Sequence, residues 1–134
     1  VTATEKPSPM VTMSIPEFHA ALKAQGVSGR EHLAFKCPIC GTIQSAADLM
    51  RATSKSSFDE VEKWLAFSCI GRFTDAGAWK KGQPPGKGCD WTLGGFFSLH
   101  NLEVVDESGK RHPRFEIATP EEAQAHERAQ VVAA

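Results

Sequence analysis

No run of apolar residues in this chain approaches the roughly 18 that a membrane-spanning helix needs. No stretch resembles a secretory signal, so an oxidising compartment and a disulfide framework are not expected for its cysteines. Charge of one sign is scarce as well: the formal net charge is −1 over 134 residues, which speaks against a protein that coats nucleic acid with its whole surface. There is no internal repeat, no Ser-His-Asp set, no phosphate-binding glycine loop and no paired-carboxylate motif. These absences make an enzyme the least favoured reading. The length suits one domain with short tails, and 41% apolar residues build a modest core that a metal staple would help.

What the chain does carry is four cysteines: Cys37, Cys40, Cys69 and Cys89. The first two lie in Phe35-Lys36-Cys37-Pro38-Ile39-Cys40-Gly41, a Cys-x-x-Cys turn closed by glycine. Such a turn aims both sulfurs at one point and offers backbone N–H groups to the thiolates, while glycine supplies the positive φ that the turn needs. That is half of a tetrahedral zinc site, and Cys69 and Cys89 are the two ligands left to complete it. The spacing Cys-x2-Cys-x28-Cys-x19-Cys has no second close pair. The fallback ligands are His100 and His32.

Two other chemistries fit less well. A redox Cys-x-x-Cys opens a helix, whose N-terminus lowers the pKa of the first thiol. Here Gly41-Thr42-Ile43-Gln44 follows, which suits a turn into a strand. A zinc deaminase needs His-x-Glu upstream of Pro-Cys-x-x-Cys, but this chain has Arg30-Glu31-His32 and Cys-Pro-x-Cys.

Residues 1–13 read as a disordered leader, with Val1, Met10 or Met13 as the start, and residues 132–134 as a tail. Order is expected over 14–131. Ser14 and Glu17 form a capping box before a helix whose apolar face is Phe18, Ala21 and Leu22, with Gly26 as its C-cap. His32 to Lys36 reads as a strand leading into the cysteine turn. Ser45 and Asp48 cap a second short helix, and Phe58, Val61, Trp64 and Leu65 mark a third over 57–65. Ala66 to Ile70 reads as a strand carrying Cys69. Leu99–Val105 and Lys110–Ile117 flank Asp106-Glu107-Ser108-Gly109 as a hairpin, and Thr119 and Glu122 cap a C-terminal helix with Pro120 at its first position.

A strand through Cys69 and another leaving Cys89 would lie antiparallel and close on the Cys37–Cys40 turn. The expected fold is therefore α+β, a small single domain with short strands and flanking helices around a zinc-ribbon-like four-cysteine site, holding one structural Zn2+ per chain. Trp64 belongs to the core by its helical spacing, and Trp91 should pack over the metal. Trp79 differs, because it sits among Lys80, Lys81, two prolines and several glycines. Between Gly71 and Cys89 four bases (Arg72, Lys80, Lys81, Lys87) face one acid, Asp75, whereas Glu103 to Glu127 holds seven acids against three bases. Arg72, Trp79, Lys80, Lys81 and Lys87 are thus the candidate partner-binding residues.

With Phe67-Ser68-Cys69-Ile70-Gly71-Arg72, Gly88-Cys89-Asp90-Trp91-Thr92-Leu93-Gly94-Gly95 and His112-Pro113-Arg114-Phe115-Glu116 in view, the chain resembles a family of uncharacterised small proteins of bacteriophages and prophages. The similarity runs from about Ser14 to His126. The resemblance implies a cytoplasmic, phage-related setting and no activity. The reading it supports is a non-catalytic zinc-binding module that engages a host or defence protein as inhibitor or adaptor. The alternatives are a nucleic-acid-binding zinc ribbon using the Arg72–Lys87 loop and, behind it, a metal-dependent enzyme built on His100, His112 and nearby acids.

Overall fold

Helices start where the sequence writes reciprocal caps. In the computed structural model, which describes residues 10–93 and 100–133, the Ser14 hydroxyl accepts the Glu17 N–H and the Glu17 carboxylate accepts the Ser14 N–H, opening α1 (Ile15–Lys23). The same exchange between Ser45 and Asp48 opens α2 (Ala46–Thr53), and that between Thr119 and Glu122 opens α4 (Pro120–Ala133). α3 (Phe58–Leu65) starts differently: the Glu60 carboxylate reaches back to the Ser56 N–H and to the Ser56 and Ser57 hydroxyls. α1 closes at Ala24, two residues ahead of Gly26, which at φ 69° turns the chain rather than capping it.

The strands form two three-stranded sheets. In one, β1 (Val11–Ser14) runs parallel to β4 (Leu102–Val105), which pairs antiparallel with β5 (Arg111–Arg114). In the other, β2 (Ala34–Lys36) lies between β3 (Ile43–Ser45) and β6 (Glu116–Ile117). The hairpin turn expected at 106–109 is present. The Asp106 carboxylate accepts the Ser108 and Lys110 N–H groups, and Gly109 sits at φ 86°.

Other expectations change as well: the strand expected from His32 begins at Ala34, after a 3-10 turn over Arg30–His32. Val11, Thr12 and Met13 are not leader but strand, in register with Leu102, Glu103 and Val104; the rest of the leader, 1–9, lies outside the described residues. The expected strand over Lys110–Ile117 breaks at Phe115, whose N–H turns to the Ala66 carbonyl and whose ring is fully buried. That break lets one segment serve both sheets. The strand expected over Ala66–Ile70 reduces to a single antiparallel bridge between Ser68 and Thr92, followed by a 3-10 turn at Ile70–Arg72. Leu99, expected to begin the hairpin, lies outside the described residues.

Phe35, Leu49, Val61, Leu65 and Phe115 make one core with the four cysteines inside it. Burying each of these large side chains contributes about 1.5–3 kcal/mol against a large loss of chain entropy. Two buried glutamines fasten the elements around this core. Gln25 donates to the Ala34 and Ala118 carbonyls and accepts the Ala34 N–H, joining the end of α1 to the sheet built on β2. Among the described residues no helix is long and apolar enough to cross a membrane.

Candidate metal centre

β2 delivers Cys37 and β3 carries the chain away from Cys40. Between them the Cys37 N–H bonds the Thr42 carbonyl at 3.0 Å, the Gly41 N–H bonds the Cys37 carbonyl at 2.9 Å, and Gly41 takes φ 74°. That positive φ is why glycine closes the turn. The Cys40 N–H then points at the Cys37 sulfur and the Thr42 N–H at the Cys40 sulfur.

The second half assembles from two distant segments. The Cys69 N–H bonds the Trp91 carbonyl and the Leu93 N–H bonds the Phe67 carbonyl, each at 3.0 Å, so the stretches through Cys69 and Cys89 run antiparallel for one short rung. What brings them so close is a pair of glycines. A Cβ on Gly71 would lie 2.4 Å from the Cys89 nitrogen, and one on Gly88 would lie 2.7 Å from the Gly71 nitrogen. No side chain fits at that crossing. It aims the Gly71 N–H and the Cys89 N–H at the Cys69 sulfur, the latter at 3.2 Å, and the Trp91 N–H at the Cys89 sulfur.

Gln44, fully buried on β3, joins the two halves. Its amide donates to the Leu65 and Ser68 carbonyls at 2.9 Å each, and its oxygen accepts the Ile70 N–H at 2.7 Å. Three bonds from one side chain thus hold both flanks of Cys69 against the Cys37–Cys40 turn.

The four sulfurs lie within 4.8 Å of one another and every cysteine is at most 5% exposed. Cys37 and Cys89 sulfurs are 3.8 Å apart, and Cys40 and Cys69 sulfurs 3.7 Å. A disulfide would need about 2.05 Å. A tetrahedron of metal–sulfur bonds of about 2.3 Å has edges of about 3.8 Å. The donor set and its spacing therefore fit a metal ion.

Electrostatics agree with that fit. The Cys40 thiol is held far below the ordinary thiol range, chiefly by its hydrogen bond with Cys37, while the same bond drives Cys37 far above it. Burial, with the neighbouring sulfurs, pushes Cys89 up to about 12. One charge is welcome in the cluster and each further one meets it at close range. A bound dication is what makes four adjacent thiolates tolerable.

Thr42 supplies a further clue. Its hydroxyl accepts the Gly86 N–H at 2.9 Å and the Gly88 N–H at 3.1 Å, which uses both lone pairs. Its proton is then left to the Cys40 sulfur, 3.1 Å away, so that sulfur is an acceptor. Thr42 therefore ties the returning end of the 71–88 loop to the Cys37–Cys40 turn. The Pro85 ring, 3.7 Å from where a Gly41 Cβ would sit, covers the same turn.

The profile of the VVA0879-like family matches residues 14–118, from the Ser14 cap through all four cysteines to the residue after β6. The chain belongs to the VVA0879-like family. The match ends before α4, short of the His126 limit expected from the resemblance. No curated protein and no solved structure matches the chain.

The other expected site residues fall as follows. His100 pairs with Glu103 at 2.9 Å and His32 lies 3.9 Å from Glu127, so neither joins the sulfur cluster. His112 pairs with Asp106 on the hairpin, and no metal-ligating group gathers there or at His100 among the described residues. Trp64 packs against Phe73, with ring centroids 4.9 Å apart, and Trp91 stacks on Phe115 within the core that holds the cysteines. Trp79 is 40% exposed, its neighbours in sequence Lys80 and Lys81 are exposed, and so is Lys87 at the far end of the loop. Arg72 is exposed too, but its guanidinium donates to the Asp90 carbonyl at 2.8 Å and braces the loop's base. Thr42, Gln44, Gly71 and Gly88 are supports of the site that sequence reasoning misses. Gly71, Gly88 and Thr42 lie within two positions of a cysteine, which is a usable signal; the bonds of Thr42 to Gly86 and Gly88, and all three of Gln44, reach more than 20 positions along the chain.

Proposed function

We propose that the ion held by Cys37, Cys40, Cys69 and Cys89 is zinc, one per chain, and that the domain is a non-catalytic, zinc-ribbon-like module displaying the 71–88 loop to a partner protein. Four thiolates are a donor set used by structural zinc and by iron–sulfur centres; a closed set leaves no position for a substrate or water, so the ion's part is to cross-link the chain. The partner we favour is a host or defence protein met in the cytoplasm of a phage-infected cell, with this chain acting as inhibitor or adaptor.

One observation carries the reading. An indole exposed at 40% stands in a loop fastened at one end by Arg72 and at the other by Thr42, Pro85 and the Gly88 carbonyl, which accepts from Gln83. A solvent-exposed aromatic on a braced support is the composition of a protein hot spot, because little ordering entropy remains to be lost on binding. Affinity capture from phage-infected host cells, with and without nuclease, tests it. A protein should be retained after nuclease and lost when Trp79, Lys80 and Lys81 are replaced together by Ala.

A nucleic-acid partner is the second reading. Lys80, Lys81 and Lys87 are exposed on the same loop as Trp79, and they make no ion pair with the described residues. Stacking on the indole with phosphates on the ammonium groups would give binding that falls steeply with salt, which an apolar protein interface does not.

A further inference from the structure

α1 lies over the core without sealing it. None of its residues is fully buried, although Phe18 and Leu22 point inward. Between α1 and α3 lies a cavity of about 540 Å³, lined by Phe18, Leu22, Phe35, Phe58, Leu65 and Phe67 among others. That volume is in the range of small-molecule sites.

Arg114 also lines this cavity. It comes from the end of β5 and is half-buried, and among the described residues its guanidinium donates one hydrogen bond, to the Pro113 carbonyl at 2.7 Å. No carboxylate among the described residues lies within ion-pair distance of it. The acids that share the lining, Asp59 and Glu62, are exposed, and Asp59 is engaged with Arg30 at 3.7 Å. Desolvation lowers the Arg114 pKa. A guanidinium drawn out of water is normally matched by an anion, and its planar fork suits a carboxylate in particular. The other cation of the lining, Lys63, is exposed and lies over the Trp64 ring, which leaves aromatic and aliphatic walls around a half-buried guanidinium that no described carboxylate pairs, the setting of an amphipathic ligand.

We propose that this cavity binds a small apolar monocarboxylate, with Arg114 receiving the carboxylate and Phe18, Leu22 and Phe67 enclosing the hydrocarbon. The site is separate from the metal centre and from the 71–88 loop, so it is independent of the proposed partner.

The test uses the full, metal-loaded chain titrated with sodium decanoate and, in parallel, with decyltrimethylammonium, which carries a similar tail and the opposite charge. Decanoate should bind saturably, one per chain, and at least about tenfold more tightly, a difference of roughly 1.4 kcal/mol. Intermolecular NOEs should connect its methylenes to Phe18 and Phe67. Arg114→Gln should abolish the preference for decanoate, while Arg114→Lys retains part of it. Equal affinity for the two amphiphiles, no saturable decanoate binding, or NOEs to other residues would overturn the proposal. The charge comparison and the NOEs need only the parent protein, so they decide the matter even where an Arg114 variant folds poorly.

Discussion

Replacing Thr42 by Val keeps the shape of the side chain and removes its hydroxyl, which isolates what that oxygen does. Three hydrogen bonds go at once: from Gly86 at 2.9 Å, from Gly88 at 3.1 Å, and to the Cys40 sulfur at 3.1 Å. The Gly88 N–H is buried, and leaving it unpartnered costs about 1–3 kcal/mol. The Gly86 N–H is only partly buried and regains water, so it adds about 0.5–1 kcal/mol. A hydrogen bond to a charged sulfur contributes about 1.5–3 kcal/mol. The three are coupled through one loop end and do not add fully, so about 3 kcal/mol is expected. For a chain of this size that lowers the melting temperature by about 10 °C. The loss at Cys40 should also weaken metal binding by about tenfold, readable as faster release to a chelating dye. The 71–88 loop should become sensitive to trypsin at Lys80, Lys81 and Lys87, while Thr42→Ser keeps all three properties. A Thr42→Val protein that melts within about 1 kcal/mol of the parent and resists trypsin equally would mean that the hydroxyl does not tie the loop to the turn.

Gly71→Ala places a Cβ 2.4–2.5 Å from the Cys89 backbone, so the crossing must open; loss of stoichiometric metal and of cooperative melting is expected in calorimetry. Gln44→Leu strands two carbonyls and one N–H around Cys69 and should destabilise by about 3 kcal/mol or more in denaturant unfolding, exceeding Gln83→Leu on the loop surface. Burial pushes the Asp48 carboxyl up, but the His126 hydrogen bond and the Ser45 N–H outweigh it and leave its pKa below the ordinary value. Its stabilising share is therefore present above the unfolded carboxylate value of about 3.9 and fades as pH falls through the lower folded value, so Asp48→Asn should flatten the acid limb of the stability curve. The Trp79, Lys80 and Lys81 triple Ala variant should lose at least about tenfold in partner affinity, with melting and metal content unchanged.

Local features were legible in the sequence because their partners are local. The boxes at Ser14–Glu17, Ser45–Asp48 and Thr119–Glu122 each close within four residues, and the Asp106 turn is fixed by its own carboxylate and Gly109. β1 was not legible, since Val11 finds Leu102 across most of the chain and the alternation Val11-Thr12-Met13-Ser14 is too short to mark a strand by itself. The Cys69 stretch looks like a strand from Ala66-Phe67-Ser68-Cys69-Ile70, yet the Gly71–Gly88 crossing and the Phe115 N–H on Ala66 end the ladder after one bridge. For the site, the identity of the four cysteines was readable from the Cys-x-x-Cys-Gly turn and from simple elimination. Their supports were not. Glutamine and threonine are ordinary surface residues by type, and only the tertiary fold turns Gln44 and Thr42 into the ties between the two halves.

Whether four thiolates hold one zinc is decided by metal content, measured by native mass spectrometry and elemental analysis of the full chain purified without chelator. One zinc per folded chain is expected, with Cys89→Ser losing it and His100→Ala keeping it. A folded chain without stoichiometric metal, one carrying iron in place of zinc, or zinc that survives Cys89→Ser would contradict the four-thiolate zinc site.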